Sequence, residues 1–114
     1  LSMGGIQTLF TGVQNTDMFD YLGVFSSGWF ANDDSISGKQ YEFMQENADQ
    51  INANLKEFWV AMGGQEDIAY NNCKVMLQKF DEMGIEYTYS EYPGGHTWPV
   101  WRNNLYTFAP LLFK

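Results

Sequence analysis

Short apolar runs alternate with longer stretches of helical periodicity along this chain, and this alternation restricts the fold more than any other feature. The runs at 21–26 and 58–62 are almost continuously apolar, which is typical of parallel strands covered on both faces. A third run at 85–92, rich in Tyr and Thr, also predicts a strand. Strands that alternate with helices form a parallel sheet with helices on both faces. The sequence therefore predicts a three-layer α/β fold with about three parallel strands.

The stretches between and around these runs predict helices, because apolar residues recur there at intervals of three and four. Gly84 stands where glycine commonly ends a helix, and Pro99 is tolerated in a first turn. The segment 27–38, rich in Ser, Gly, Asn and Asp, predicts a loop. The four predicted helices are 3–14, 39–55, 69–83 and 99–114.

The start of the chain, Leu1-Ser2-Met3-Gly4-Gly5, predicts a nucleophile on a sharp strand-to-helix turn. Such a turn has the pattern G-x-S-x-G, and its first glycine would lie upstream of Leu1. We expect Ser2 to be the nucleophile and the backbone N–H of Met3 to be one oxyanion donor. The alternative is that Ser2 caps the helix that follows, since Ser is a preferred N-cap residue.

An imidazole and a carboxylate follow two of the predicted strands. His96, the only histidine of the chain, lies in a glycine-rich loop directly after the third strand. Asp67 ends the loop that follows the second strand. Catalytic groups of open α/β sheets gather at the carboxyl ends of the strands, and a serine nucleophile needs both partners. The order Ser2, Asp67, His96 is the one found in α/β-hydrolases.

Simpler interpretations of these two residues stay open. His96 could be a structural histidine that packs in its loop and makes ordinary hydrogen bonds. Asp67 could favour the N-terminus of the next helix, where a negative charge is stabilising. Glu66 adjoins Asp67 and is the second candidate for the carboxylate.

The tryptophans divide into two predicted groups. Trp29, beyond the first strand, and Trp98, beside the histidine, are placed near the same edge and could line a pocket for a sugar or an aromatic acyl group. Core packing or a structural lid explains either residue equally well. Trp59 and Trp101 fit core positions better. Cys73 lies on the apolar face of its helix, as expected for a small core residue.

Charge and composition exclude several classes of partner. The net charge of −8, with six basic residues, argues against nucleic acid or an anionic membrane surface and fits a neutral ester or carbohydrate. No apolar run approaches the roughly 20 residues that span a bilayer. A single cysteine excludes an internal disulfide, and one histidine without a cluster of ligands leaves nothing to hold zinc. We predict no cofactor and no metal.

Four segments of the chain form a recognisable set: LSMGGIQT at 1–8, GVFSSG at 23–28, GGQED at 63–67 and GGHTWPVWRNNLYTFAPLLF at 94–113. The C-terminal segment is the most specific of them. Together they resemble the esterase branch of the α/β-hydrolases that includes the feruloyl and acetyl-xylan esterases of carbohydrate esterase family one.

The resemblance implies that residues 1–114 are the C-terminal half of one such esterase domain, with Ser2, Asp67 and His96 as its triad. The intact protein would release feruloyl, acetyl or similar groups from plant polysaccharides, and secretion or a periplasmic location is expected from the same resemblance. Relatives also include S-formylglutathione hydrolases, enterobactin-type esterases and mycolyltransferases, so the acyl group is left open. An acyltransferase on this scaffold and a non-catalytic carbohydrate-binding module are the alternatives.

A half domain has two further expected properties. A second oxyanion donor belongs to a loop after an early strand, which these residues do not include, so the chain alone is expected to be inactive. The strand at 21–26 would have one open edge, and an open edge invites pairing with another chain. We therefore expect self-association through this edge.

Overall fold

The computed structural model describes residues 1–31 and 34–113. Within these ranges, three parallel strands form one open sheet in the order β1-β2-β3, and five α-helices surround it. The strands are β1 (Tyr21–Phe25), β2 (Glu57–Met62) and β3 (Thr88–Glu91). The helices are α1 (Met3–Gly12), α2 (Asp34–Glu46), α3 (Ala48–Asn54), α4 (Tyr70–Met83) and α5 (Trp98–Phe108), which a short 3₁₀ turn (Ala109–Leu111) follows. The predicted α/β architecture is confirmed.

Alternate side chains of the strands pack on opposite faces of the sheet, as the twofold periodicity of a strand requires. In the register, Leu22 pairs with Phe58 and Val24 with Val60. These residues bury one face of the sheet in the larger core, against side chains of α1 to α4. On the other face, Trp59 packs in a smaller cluster with Phe108 of α5. Helices therefore cover both faces.

Several predicted element boundaries are wrong. The stretch 39–55 is two helices, not one, because the backbone leaves the helical conformation at Asn47, with φ −116° and ψ 19°. The side-chain amide of Asn47 donates to the carbonyl of Phe43 at 2.8 Å, a local hydrogen bond typical of Asn at a helix boundary. The predicted loop at 27–38 contains the start of α2, which begins at Asp34.

α4 ends where the sequence predicts, but β3 is shorter than predicted. Gly84 adopts φ 75°, a left-handed conformation that glycine reaches without strain, and it ends α4 as expected. Ile85 then donates its N–H back to the carbonyl of Phe80 at 2.9 Å. Because its backbone closes the helix, Ile85 does not begin the strand, and β3 covers only Thr88–Glu91.

One edge of β1 faces away from β2. Among the described residues, a backbone hydrogen bond reaches that edge at its carboxyl end, where the N–H of Ser2 donates to the carbonyl of Phe25 at 2.9 Å. Exposed Met18 and Phe19 precede the strand. Unpaired backbone groups at an edge are a template for a further strand. Self-association through this edge stays a prediction.

Gly5 allows α1 to lie against the loop that follows β1. A Cβ atom at Gly5 would stand 2.6 Å from the Oγ atom of Ser27 and closer still to its Cβ atom. At Gly4, one residue earlier in the helix, a Cβ atom would meet nothing within 4 Å. The contact at Gly5 therefore fixes the position of the helix that begins beside Ser2.

We expect Gly5→Ala and Gly4→Ala to change the free energy of unfolding in opposite directions. Gly5→Ala should lower it by about 1–3 kcal/mol, because the added methyl group overlaps Ser27. Gly4→Ala should raise it by about 0.5–1 kcal/mol, because alanine loses less backbone entropy in a helix than glycine does. Urea unfolding followed by circular dichroism measures both. Equal effects of the two variants would contradict the close packing at Gly5.

Candidate active site

Ser2 occupies a backbone conformation that non-glycine residues rarely adopt. Its φ is 53° and its ψ is −124°, directly before α1. Such a conformation costs on the order of 1–3 kcal/mol and persists only where the surroundings hold it. Here the N–H of Ser2 bonds to Phe25, and its carbonyl accepts a hydrogen bond of 2.7 Å from the Ser27 hydroxyl. The side chain of Ser2 is thus presented at the carboxyl end of the sheet, in the geometry of a nucleophile turn.

The loops after β2 and β3 are joined by their backbones. The N–H of Gly64 donates to the carbonyl of Gly94 at 2.7 Å. A Cβ atom at Gly63 would stand 2.6 Å from that same carbonyl oxygen, so only glycine allows this approach. The contact holds the loop that carries Asp67 against the loop that carries His96.

Hydrogen bonds connect the three predicted side chains in one line. The Nδ1 atom of His96 lies 2.8 Å from Oδ1 of Asp67, and its Nε2 atom lies 3.1 Å from Oγ of Ser2. An ionised carboxylate is an acceptor only, so the proton of the neutral imidazole belongs on Nδ1. Nε2 then accepts the hydrogen bond from the hydroxyl of Ser2. The structure brings together Ser2, Asp67 and His96, while Glu66 is exposed.

Asp67 is a buried carboxylate with four donors. Its side chain is 0% exposed. Oδ1 also accepts from the N–H of Ala69 (3.0 Å), and Oδ2 accepts from the hydroxyl of Ser26 (2.7 Å) and the N–H of Gly63 (3.2 Å). Burial by itself would raise the pKa of Asp67, but the hydrogen bonds from Ala69, Ser26, His96 and Gly63 outweigh it and hold this pKa below its ordinary value.

Ser26 and Trp101 belong to the same network, and sequence reasoning gave neither of them a role in the site. The indole Nε1 of Trp101 donates to Oγ of Ser26 at 3.0 Å, and its ring meets the imidazole of His96 edge-on, with centroids 5.1 Å apart. The predicted core position of Trp101 is therefore wrong, since it is only partly buried. Ser26 follows β1 directly, and that position at a strand end was the signal that could have identified it.

A cleft of about 300 Å³ opens beside Ser2 and His96. Met3 lines it at the start of α1, where the first N–H groups of a helix have no acceptor within the helix. Phe30, 53% exposed, and Ile68, 80% exposed, form an apolar rim. The cleft therefore combines a hydroxyl, an imidazole and helix N–H groups with apolar surface.

Comparison with known proteins identifies the family of this chain. Residues 1–112 match the model of the esterase family described as "Putative esterase". The chain belongs to this esterase family, which is of the α/β-hydrolase type.

Solved esterases share the fold. A ferulic acid esterase superposes with a TM-score of 0.72 at 21% identity, over 96% of this chain and 47% of its own. A mutant of the feruloyl esterase module from Clostridium thermocellum complexed with sinapinate gives 0.74 at 22% identity, over 97% and 43%. The apoenzyme of S-formylglutathione hydrolase (FrmB) from Staphylococcus aureus gives 0.73 at 16% identity, over 96% and 48%. This esterase chain spans about half the length of the solved chains it matches.

The structure separates the two tryptophans predicted to bind substrate. Trp29 is 3% exposed and packs edge-on against the rings of Tyr41 and Phe80 in the core, so its predicted place in the cleft is wrong. Trp98 is 66% exposed and packs against Trp101, with centroids 5.1 Å apart. It lines a small apolar pocket of about 210 Å³ on α5, next to the cleft of Ser2 but not within it.

Cys73 of α4 is a buried residue of the larger core, as expected. Burial raises the pKa of the Cys73 thiol to about 12, so the thiol is protonated at neutral pH. Within 1–31 and 34–113, no three His, Cys, Asp or Glu side chains are grouped to hold a metal ion. In the same ranges, every helix is too short or too polar to cross a bilayer.

We expect Asp67→Asn to weaken the acid dependence of the free energy of unfolding. Because the folded-state pKa of Asp67 is lowered, its ionised form contributes stability that is fully present above the unfolded-state pKa of about 3.9. This contribution is lost as the pH falls through the folded-state pKa. Urea unfolding at a series of pH values should therefore give a shallower slope below about pH 5 for the variant.

The matched control for this measurement is Asp17→Asn, which changes an exposed carboxylate in the loop before β1. It should retain most of the wild-type slope. A slope for Asp67→Asn as steep as that of the wild type would contradict the lowered pKa of the buried carboxylate.

Proposed function

We propose that Ser2, His96 and Asp67 are the catalytic triad of a serine carboxylic-ester hydrolase. The observation that carries the proposal is the line of hydrogen bonds from Ser2 Oγ through His96 to Asp67, at 3.1 and 2.8 Å. The strained turn at Ser2 supports it, because strain of this kind accompanies exposed nucleophiles. Membership of the esterase family supports the same reaction class.

The proposed reaction has two halves. Ser2 Oγ attacks the ester carbonyl carbon while Nε2 of His96 takes the hydroxyl proton, and the buried Asp67 carboxylate stabilises the imidazolium that forms. The tetrahedral intermediate then expels the alcohol, which receives the proton from His96, and an acyl-enzyme remains. Water attacks the acyl group in the same way and releases the acid, which regenerates Ser2.

Met3 supplies one oxyanion donor in this proposal, through its backbone N–H at the start of α1. The second donor in such hydrolases belongs to a loop after an early strand of the domain. We propose that these residues act as the C-terminal half of a larger hydrolase domain. The support is the length of the matched structures, of which this chain covers 43% to 48%. Loss of one oxyanion donor costs about a hundredfold to a thousandfold in turnover, so activity belongs to the longer protein.

We further propose that the substrate is an ester of a feruloyl, acetyl or similar acyl group on a plant polysaccharide. The exposed apolar rim of Phe30 and Ile68 beside Ser2 supports an apolar or aromatic acyl group. Two of the structures that share the fold are feruloyl or ferulic acid esterases, which supports the same class. A neutral carbohydrate ester also suits a chain of net charge −8.

An alkyl phosphonate tests the nucleophile directly. In the full-length polypeptide that contains these residues, the reagent should modify Ser2, as read by peptide mass spectrometry. His96→Ala should reduce kcat by about 10⁴-fold or more, because the members of a triad act as a unit. Ser90→Ala, a change at a serine of β3, is the control and should leave both the labelling and kcat unchanged. Modification of another serine, or full activity of His96→Ala, would defeat the proposal.

A second experiment tests the acyl group. Phe30→Ala should lower kcat/KM for a feruloyl ester about 5- to 50-fold relative to an acetyl ester, because an aromatic acyl group loses apolar contact that an acetyl group does not make. The exposed Phe10 of α1, which is not part of the lining of the cleft, offers the matched control Phe10→Ala. Equal losses for both esters in Phe30→Ala would contradict an acyl role for this rim.

A further inference from the structure

Ser26 is a buried serine in a strained position, and its side chain touches two parts of the site. It is 0% exposed and has φ 49°, a left-handed conformation that a non-glycine residue rarely adopts. Its N–H continues the sheet by donating to the carbonyl of Ala61 at 2.8 Å. Its hydroxyl lies 2.7 Å from Oδ2 of Asp67 and 3.0 Å from Nε1 of Trp101.

The direction of these two hydrogen bonds follows from the chemistry of the groups. An indole N–H is only a donor, and an ionised carboxylate is only an acceptor. The Ser26 hydroxyl must therefore accept from Trp101 and donate to Asp67. Hydrogen bonds in such a chain strengthen one another, because each donor polarises the next.

The two oxygens of Asp67 consequently have different partners. Ser26 and Gly63 occupy Oδ2, which leaves Oδ1 directed at His96 and the N–H of Ala69. Trp101 also packs edge-on against the His96 ring, with an interplanar angle of 88°. One side chain of α5 thus contacts the imidazole and, through Ser26, orients the carboxylate that holds it.

We propose that Ser26 and Trp101 are positioning residues, which fix the Asp67 carboxylate and the His96 imidazole in the orientation that the reaction needs. The inference rests on the proposed function, since it assigns them a role in the same triad. Loss of a hydrogen bond to a charged group typically costs about 10- to 100-fold. A role limited to anchoring α5 on the sheet would instead change stability and leave the reactivity of the folded protein unaltered.

Matched variants separate these two roles. Trp101→Phe keeps an aromatic ring but removes the N–H donor together with part of the indole ring system. Trp59→Phe is its control, because within the described residues the Nε1 atom of Trp59 is buried without a hydrogen-bond partner. Ser26→Gly removes the hydroxyl while allowing the positive φ without strain, so the variant should fold at least as readily as Ser26→Ala.

Two readouts are measured on each folded variant of the full-length polypeptide. We expect Trp101→Phe and Ser26→Gly to lower kcat, and the rate constant of Ser2 phosphonylation, about 10- to 100-fold with KM within about twofold. The double variant should lose little more than either single variant, because the two residues act in series. Trp59→Phe should match the wild type in both readouts.

The third readout is independent of catalysis. The Nδ1 proton of His96, bonded to Asp67, gives a low-field resonance, which ¹⁵N-histidine labelling detects and its loss in His96→Ala assigns. This resonance should move or broaden in Trp101→Phe and Ser26→Gly and stay in place in Trp59→Phe.

The outcomes distinguish this inference from the proposed function. The positioning role would be overturned if Trp101→Phe and Ser26→Gly both kept the wild-type kcat and an unmoved His96 resonance. This holds even if the phosphonate modifies Ser2, as the proposed function requires. Additive losses of kcat in the double variant would also contradict a series of hydrogen bonds that runs from Trp101 through Ser26 to Asp67. The wild-type protein could hydrolyse no ester while the His96 resonance moves in Trp101→Phe and Ser26→Gly but not in Trp59→Phe. That result would refute the proposed reaction and support the hydrogen-bond network of Trp101, Ser26, Asp67 and His96.

Discussion

The buried negative charge of Asp67 is the constraint on which the rest of the site depends. An ionised carboxylate away from water is costly unless donors surround it. Its four donors come from Ser26 after β1, Gly63 after β2, Ala69 before α4 and His96 after β3. The segments after β1 and β3 therefore contribute one donor each, and the segment after β2 contributes two. All four donors surround the charge only when the three strands and the loops that follow them are in place.

Backbone strain occurs at the two serines of this network, and the same packing accounts for it. Ser2 has φ 53° and Ser26 has φ 49°, and hydrogen bonds from neighbouring segments hold both. Strained residues concentrate at functional sites because a relaxed backbone would turn the side chain elsewhere. At Ser26 the strain directs a buried hydroxyl at Asp67, and at Ser2 it presents a hydroxyl to the cleft. Ser2 is hydrogen-bonded to the His96 imidazole directly, and Ser26 is connected to the same imidazole through Asp67.

The sequence was sufficient for the features that depend on periodicity and strand ends. Continuous apolar runs predicted the parallel sheet, and the rule that catalytic groups follow strands predicted that Asp67 and His96 would meet Ser2. It was insufficient where the conformation or packing of a single residue decides the outcome. The non-helical backbone of Asn47, with φ −116° and ψ 19°, divides a continuous amphipathic stretch into two helices. Trp29, expected near the cleft, packs in the core, and Trp101, expected in the core, donates to Ser26 at the site. The orientation of each indole depends on packing partners that are distant in the chain.

The backbone contact between Gly64 and Gly94 restricts the length of the loop that carries Asp67. At the carboxyl ends of the strands, Gly63 lies between the carbonyl of Gly94 and the carboxylate of Asp67. A residue gained or lost between Gly63 and Asp67 would therefore separate this carboxylate from its donors. At the amino ends of the strands, the N–H of Lys56 donates to the carbonyl of Asp20 at 2.7 Å, so the connections there are joined as well. They lie at the opposite ends of the strands from Asp67, and a change in their length leaves the carboxylate beside its donors.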